Sequence, residues 1–461
     1  MAPTNKNINR AVFEDYPVPK AVLTLALPTI LGQLTVLFYN IADTFFIGRT
    51  NNPCMVAGAS LLLPIYNLCI AVSNLAGNGG GALVSRLLGK GDQETAGRVS
   101  SFSFWFGGLI AAVLSLLVFF LMSPLLQFLG ASADVFPFAK QYALCVLVAG
   151  AVPTVLSMVT GALLRSIGCA KQAGFGVTLG GLINVGLDPL FMFVILPEGY
   201  EVLGAGLATL LSNILVLIYY AFVIRSLKGK TVLRFSFPRP LPEKRHMLDV
   251  ITTGAPSAIM NLFYDVLTLL VNRVLSGYGD VALAAMGIVF KVERLPVNID
   301  IGFCQGMMTL AAYNFAQNNT GRMKKVFRFS RNAGILITIV CIVLYELTAS
   351  GIMRFFIDDA ETVQIGTQFL MRRILGTPFM FLSFLHVFFF QAVNEGKTGL
   401  QLVFMRFLLF NIPLLYVLNA IFGMNGVVCT QICGDGLTAL VSLFVFGRYI
   451  RNKETAEQLH D

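Results

Sequence analysis

Twelve long runs of mainly apolar residues, separated by short polar segments, dominate the sequence. A helix needs about 20 such residues to cross the hydrocarbon core of a bilayer. Only 12% of the 461 residues are charged and 56% are hydrophobic, which leaves too little polar surface for a globule in water. The pattern predicts an all-α polytopic membrane protein with twelve transmembrane helices. The runs cover approximately residues 20–47, 56–88, 96–122, 134–165, 171–195, 202–226, 247–276, 281–316, 323–354, 361–393, 398–421 and 425–449.

The basic residues fall mainly on one side of the predicted membrane. Both termini and the loops on their side carry nearly all Lys and Arg, whereas the opposite loops hold Arg49, with Arg354 close to one of them. This asymmetry predicts cytoplasmic termini and a multi-pass protein of the plasma (inner) membrane. The N-terminus lacks the pattern of a cleaved signal peptide, so we expect the first helix to be retained. The net charge of +9 is spread over many loops, so no nucleic-acid partner is expected.

One long polar segment divides the predicted helices six and six. Its prolines stiffen it as a connector, which predicts an N-terminal lobe at 1–226, a cytoplasmic linker at 227–246 and a C-terminal lobe at 247–461. Three pairs of segments resemble one another at nearly the same offset and indicate an internal repeat. With six spans in each half, the repeat predicts two lobes related by a pseudo-twofold axis along the membrane normal. The pairs are 153–174 with 378–399, 80–92 with 307–319, and 204–210 with 424–430.

Two aspartates lie within apolar runs of the first half. A carboxylate at the centre of a membrane helix costs roughly 2.5 to 3.5 kcal/mol on insertion, so Asp43 and Asp188 must face protein or water. Asn184 precedes Asp188 by one helical turn, and Asn40 shares the helix face of Asp43. Thr209 is expected at a similar depth in the sixth helix. We predict that these residues form one site.

Carboxylate, amide and hydroxyl oxygens at one depth suit a small hard cation. Asp43 and Asp188 would then ligate Na⁺, or one of the two acids would hold a proton, and the sequence leaves Na⁺ and H⁺ both open. The alternative is structural: Asp43 would pair with Arg49, and Asp188 would cap the backbone around Pro189.

The second half carries acids of its own, among which Asp265 lies in the middle of a predicted helix. No basic residue lies one turn from it, and Arg372 or Arg373 is expected as its partner from elsewhere in the chain. Glu293 is expected to form a network with Lys291 and Arg294. The candidates for substrate binding or secondary coupling are Tyr39, Asn40, Asp265, Glu293 and Asp300.

Several patterns that would point to an enzyme are incomplete. The GKT cores at 227–231 and 395–399 lack the upstream glycine of a phosphate-binding loop. The three histidines have no metal-ligand spacing, and the eight cysteines lie mostly in apolar runs without a CxxC pair. We therefore expect no enzyme activity and no cofactor. Aromatic side chains, including Phe38 and the run 388–390, would line a cleft for flat cations or face lipid.

The chain resembles the multidrug and toxic compound extrusion (MATE) family, in its DinF-like and MepA-like branch. The resemblance is carried by LPTILGQLTVLFYNIADTFFIGR, GGGALVSRLLGKGD, GALLRSIGCAKQAG, NVGLDPLFMF and GMMTLAAYNFAQNN. It implies a V-shaped cleft between two lobes, alternating access, and export of cationic amphipathic compounds in exchange for Na⁺ or H⁺. Asp43, Asn184, Asp188 and Thr209 match that branch's cation-binding residues.

The resemblance is weaker in the second half. Asp265, in FYDV, matches a coupling acid of the NorM-like branch, but SFLHVFFFQAV contains no match for that branch's acid in the tenth helix. A monomeric exporter of small molecules is the main hypothesis. A flippase of lipid-linked substrates is the alternative, for which extra helices or a basic central cavity would be expected. A membrane-embedded acyltransferase would need a His or Cys constellation.

Overall fold

The computed structural model describes residues 10–237 and 240–458, and this part of the chain is almost entirely helical. Twelve spans follow one another along the chain. They are α1 Val18–Gly48, α2 Pro53–Gly89, α3 Gln93–Phe120, α4 Phe136–Ser166, α5 Ala170–Ile195, α6 Glu201–Ser226, α7 Lys244–Tyr278, α8 Asp280–Ala316, α9 Thr320–Phe356, α10 Ala360–Ala392, α11 Gly396–Phe422 and α12 Met424–Gln458. Two short helices, Arg10–Glu14 and Met122–Phe128, lie outside these spans.

The twelve spans agree with the twelve predicted apolar runs. Among the described residues, 9 helices are long and apolar enough to cross a membrane, and 11 if each bent pair counts as one span. The bent pairs are α4, with a 47° bend, and α10, with a 44° bend. The remaining span is α8, whose 37 residues include charged side chains that lower its apolarity. The prediction of a twelve-helix membrane protein is confirmed.

Three spans contain π-helical stretches, which widen the helix and are frequent at functional sites. They lie at Leu144–Ala149 in α4, Phe191–Ile195 in α5 and Met405–Asn411 in α11. In α5, Pro189 removes one backbone donor just before the stretch, so the regular hydrogen-bond pattern cannot continue there. The two irregular stretches in α5 and α11 occupy related places in the two halves.

The two halves meet where α2 crosses α7 and α1 crosses α8, and glycines permit the contact. A Cβ on Gly79 would lie 2.1 Å from the carbonyl oxygen of Val250, and one on Gly254 would lie 2.0 Å from that of Leu75. Gly306 of α8 likewise contacts the backbone of α1 at Ala26. The helices therefore touch backbone to backbone at these crossings.

Polar contacts also tie the halves together at the basic end, which we define as the end that carries both termini and the Lys- and Arg-rich loops. Tyr313 and Gln317 of α8 each donate a 2.6 Å hydrogen bond to Glu14. The buried Arg86 of α2 donates to the carbonyl oxygen of Gln391, at the last turn of α10, over 2.9 Å. A cation near a helix C-terminus is favourable because it meets unpaired carbonyls.

Two ion pairs are buried in the C-terminal half. Arg373 contacts Glu293 at 2.8 Å, and Gln431 bonds to both partners, donating 2.7 Å to Glu293. The expected network of Glu293 with Lys291 and Arg294 is therefore wrong. The sequence could not reveal the pair because Arg373 comes from α10, far along the chain.

The second buried pair joins Arg406 of α11 to Asp435 of α12. The guanidinium makes two bonds to the carboxylate, of 2.7 and 2.9 Å, and Asn411 adds a third of 3.3 Å. The Arg406 guanidinium also lies 4.7 Å from the ring centre of Phe384. A bidentate pair with an aromatic neighbour is the arrangement that arginine's planar group favours.

Replacing Gly79 with alanine is expected to destabilise the protein, because the new methyl group would force α2 and α7 apart. Overpacking of this kind costs about 1 to 3 kcal/mol, which should lower the melting temperature of the purified protein in detergent. Gly287→Ala in α8 is the matched control, since a Cβ there meets nothing within 4 Å. Equal melting temperatures for the two variants would contradict the proposed close crossing.

Replacing Arg373 with methionine should be severely destabilising, because it leaves Glu293 charged and buried without a partner. Loss of one partner of a buried pair costs about 3 to 5 kcal/mol. Adding Glu293→Gln should recover most of the loss in a thermal-unfolding double-mutant cycle. The neighbouring Arg372→Met serves as control, as its bond to Asn425 is exposed. Additive effects of the two substitutions would show that the pair is not coupled.

Candidate cation site

The centre of the N-terminal half contains a polar cluster on α5 and α6. Asp188 is fully buried, and Asn184 lies one turn before it on the same face of α5. The Asn184 amide donates 3.4 Å hydrogen bonds to Asp188 Oδ1 and to Thr209 Oγ1. Asn184 thus joins three of the four predicted site residues, as their spacing along two adjacent helices predicts.

The fourth predicted residue, Asp43, reaches the cluster through a tyrosine. Tyr142 of α4 donates a 3.4 Å hydrogen bond to Asp43 Oδ2 and lies within electrostatic range of both acids. Asp188 and Asp43 also interact electrostatically with each other. We call Asp43, Tyr142, Asn184, Asp188 and Thr209 the acid pocket.

Several oxygens of the acid pocket lack a hydrogen-bond partner within the described part of the chain. They are Asp43 Oδ1, Asn184 Oδ1 and Asp188 Oδ2, all shielded from solvent. Unpaired buried oxygens are costly and need an explanation. Arg49, the expected structural partner of Asp43, instead lies 5.3 Å from the ring of Phe45. The pocket therefore presents two acids and further oxygens to a small cation or a proton.

The site gathers its oxygens from different kinds of side chain. Across residues 10–237 and 240–458, no group of three or more His, Cys, Asp or Glu side chains could hold a metal ion. A Na⁺ ion at this place would therefore be bound by Asp43 and Asp188 together with the amide and hydroxyl oxygens. Such a mixed set of oxygens is what a hard cation prefers.

Two tyrosines of this region were not found from the sequence. Tyr142 completes the acid pocket, and Tyr66 of α2 forms a hydrogen bond with the predicted candidate Tyr39. Their only sequence signal is a phenol within an apolar run. Asn40, in contrast, is exposed on α1, and its side chain takes no part in the hydrogen bonds of the acid pocket.

Asp265 lies on α7 and connects the two halves of the protein. Asn67 of α2 donates a 2.8 Å hydrogen bond to its Oδ2, and Arg294 of α8 lies 3.9 Å from its Oδ1. The expectation that Arg372 or Arg373 would be its partner is wrong, because Arg373 binds Glu293 and Arg372 binds Asn425.

Asp300 of α8 differs from the other acids of the second half. It is 1% exposed, its Oδ2 has no hydrogen-bond partner among the described residues, and Cys304 and Cys341 are within electrostatic range. The aromatic run at 388–390 of α10 is fully buried, so these rings do not line a cleft. Phe38, which is 60% exposed, remains available to ligand or lipid.

Comparison with known proteins identifies the protein family to which this geometry belongs. The model of the MatE family matches residues 28–190 and again residues 256–417. Two successive matches to one model confirm the internal repeat predicted from the sequence. They also relate the first five helices of the first half to the first five of the second.

Similar proteins of known name and structure span nearly the whole chain. The multidrug export protein MepA of Staphylococcus saprophyticus is 29% identical over 94% of both chains, and that of Staphylococcus aureus strain MRSA252 is 28% identical over the same shares. A multidrug resistance MATE family transporter solved in an outward-facing conformation has a TM-score of 0.87 at 22% identity, covering 94% of this chain and 96% of that one.

A further structure shares the fold at lower identity. It is the Vibrio cholerae MATE transporter VcmN, whose mutant structure has a TM-score of 0.88 at 18% identity and covers 94% of this chain and 97% of that one. The two-lobe arrangement of twelve helices is common to these proteins. With the family model matching more than half of its length, the chain belongs to the MATE family of membrane transporters.

Proposed function

We propose that the protein is a secondary active exporter that expels cationic amphipathic compounds in exchange for Na⁺ or H⁺. The observation that carries this proposal is the acid pocket, which has two carboxylates and, among the residues described, no basic partner. Uncompensated acids inside a membrane protein mark ion pathways because their burial is costly. The substrate class is supported by the relatives, which are named multidrug export proteins.

Binding of one cation would remove the repulsion between the two acids of the pocket. Na⁺ would be held by the oxygens of Asp43, Asn184, Asp188 and Thr209, whereas a proton would neutralise one carboxylate and let it donate to a neighbour. Release of the ion restores two adjacent charges, which favours a different arrangement of the helices. The pocket thus provides a means to make lobe position depend on ion occupancy.

The energy that one coupled ion releases on crossing the membrane is sufficient to drive export of a compound against its concentration gradient. One elementary charge crossing about 100 mV yields about 2.3 kcal/mol. At about 1.4 kcal/mol per tenfold change, this supports a concentration ratio of roughly 50. We therefore propose a single coupling site in the N-terminal lobe. Asp265 and Asp300 remain candidates for secondary roles, whereas the closed ion pair of Glu293 favours a structural one.

We also propose that the basic end faces the cytoplasm and that the protein is a monomer in the plasma (inner) membrane. The positive-inside rule supports this orientation. The lobes would comprise 1–226 and 247–461, joined by the linker 227–246. Because the lobes are tied together at the basic end by Glu14 and Arg86, this state corresponds to one closed toward the cytoplasm.

Asp43→Asn is expected to abolish ion-driven export of a fluorescent cationic dye in proteoliposomes, since the amide keeps the shape but removes one charge. Asp188→Asn should behave in the same way. Export under separate Na⁺ and H⁺ gradients identifies the coupling ion. The control is Asp134→Asn, an exposed residue near the end of the bundle opposite the basic end. Undiminished transport by correctly folded Asp43→Asn would remove this residue from the mechanism.

A fusion of green fluorescent protein to the C-terminus should fluoresce in bacterial cells, because that domain folds in the cytoplasm. Alkaline phosphatase fused after Asp134 should be active, because it requires an oxidising compartment. The reversed pattern of reporters would refute the proposed orientation, and with it the assignment of the closed end.

A further inference from the structure

One pair of an acid and an arginine in the C-terminal half differs from the two buried pairs. Glu293 and Asp435 lie 2.8 and 2.7 Å from their arginines, and all four side chains are at most 5% exposed. In the third pair, Arg294 Nη2 lies 3.9 Å from Asp265 Oδ1, and the side chains are 45% and 24% exposed. Partly exposed ion pairs without close contact are weak. This pair can therefore exchange its partner, whereas the buried pairs cannot.

The two oxygens of the Asp265 carboxylate have different tasks. Oδ2 accepts a 2.8 Å hydrogen bond from Asn67 of α2, in the other lobe. Oδ1 faces the Arg294 guanidinium at a distance beyond that of a hydrogen bond. Asn67 thus holds the carboxylate in position while Oδ1 stays able to receive a different cation.

The Arg294 guanidinium also covers an aromatic ring. It lies 4.7 Å from the ring centre of Tyr264, the residue that precedes Asp265 on α7. Arg294 therefore contacts a carboxylate and the face of a ring at the same time. These are the two groups with which proteins recognise organic cations.

The face of α8 that carries Arg294 borders water. Lys291 lies one turn before Arg294 on the same face, and both residues are exposed although they lie well inside a membrane span. Charged side chains in such spans face a water-filled space, because hydrocarbon would not solvate them. The bond of Asp265 to Asn67 locates this space at the boundary between the lobes, where a substrate can reach it.

We propose that Arg294 is an internal competitor of the substrate. Without substrate, its guanidinium occupies the carboxylate of Asp265 and the ring of Tyr264. The cationic group of an amphipathic compound displaces it and takes over both contacts. The inference rests on the proposed export function and deepens it, because it names the acid that receives the substrate's charge and the residue that sets the affinity.

An internal cation keeps the empty site balanced and selects its ligand. Release of substrate leaves no bare carboxylate at Asp265, because Arg294 returns to it. A small hydrated ion would gain the carboxylate but lose its water, whereas an amphipathic cation also buries apolar surface. The site therefore favours compounds that carry a positive charge on an apolar body.

The test measures binding of rhodamine 6G, a cationic dye, to the purified protein in detergent by fluorescence polarisation. Arg294→Gln removes the competitor and should strengthen binding about fivefold, the factor that one partly exposed ion pair supports. Asp265→Asn should weaken binding about tenfold, the usual effect of losing one bond to a charged group.

Two variants separate competition from a general change of charge. Lys291→Gln removes the same charge from the same face of α8, but the ion pair of Asp265 among the described residues is with Arg294. Its effect on affinity should therefore be the smaller one. Arg294→Lys keeps a cation at the position and should bind the dye less tightly than Arg294→Gln. Melting temperatures are recorded for every variant, so that a loss of folding is recognised.

A double variant gives the sharpest result. When Asp265→Asn is already present, adding Arg294→Gln should bring no gain in affinity, because the acid for which both cations compete is absent. A gain of the same size in both backgrounds would show that Arg294 does not act through Asp265, and would overturn the inference.

The outcomes distinguish the inference from the proposed function. If the unaltered protein binds the dye and Arg294→Gln strengthens binding no more than Lys291→Gln does, the internal competitor is refuted and export stands. If the unaltered protein neither binds nor exports the dye, the proposed export of such cations fails and the inference fails with it.

Discussion

The structure depends on how the negative charges of carboxylates buried within the membrane are compensated. A buried acid without a partner needs an explanation, because a lone carboxylate in a low-dielectric interior is too costly to retain without a purpose. In the C-terminal half, Glu293 and Asp435 are each held by an arginine, and Asp300 is the buried acid whose Oδ2 has no partner among the described residues. In the N-terminal half, the side chains of the described residues that donate to Asp43 and Asp188 are a tyrosine and an amide. The missing positive charge is what an exchanging ion can supply.

The two halves differ in how their acids are paired, although both are built from the same repeated arrangement of helices. The family model matches both halves, α4 and α10 bend by similar angles, and α5 and α11 both contain a π-helical stretch. The framework places a polar site in the middle of each lobe. Substitution of a few side chains then determines its charge: the register that aligns LFYN at 37–40 with LFYD at 262–265 places Thr268 where α1 has Asp43, and Arg406 adds a guanidinium. Duplication followed by such changes explains why Asp43 and Asp188 lie without a basic partner among the described residues, whereas Glu293 and Asp435 are bonded to arginines.

Much of the fold could be predicted because its signals are local. Apolar runs give the spans, and recurring segments give the two lobes. The cluster of Asn184, Asp188 and Thr209 was also predictable, because the first two lie one turn apart and the third lies on the next helix. Contacts between distant helices had no such signal. The partner of Glu293 and the tyrosine beside Asp43 come from helices whose relative rotation the sequence does not encode in any local pattern.

The glycine crossings decide how the acid pocket can influence the rest of the molecule. Because α2 and α7 touch through their backbones at Gly79 and Gly254, they cannot approach further and can only pivot about that point. On one side of the crossing, Arg86 holds the last turn of α10. On the other, Asn67 bonds to Asp265. Opening the first side would break the bond between Arg86 and Gln391, whereas opening the second would break the bond between Asn67 and Asp265. Under the proposed mechanism, charging or discharging the acid pocket would need to bias only this balance, by the few kcal/mol that one ion provides.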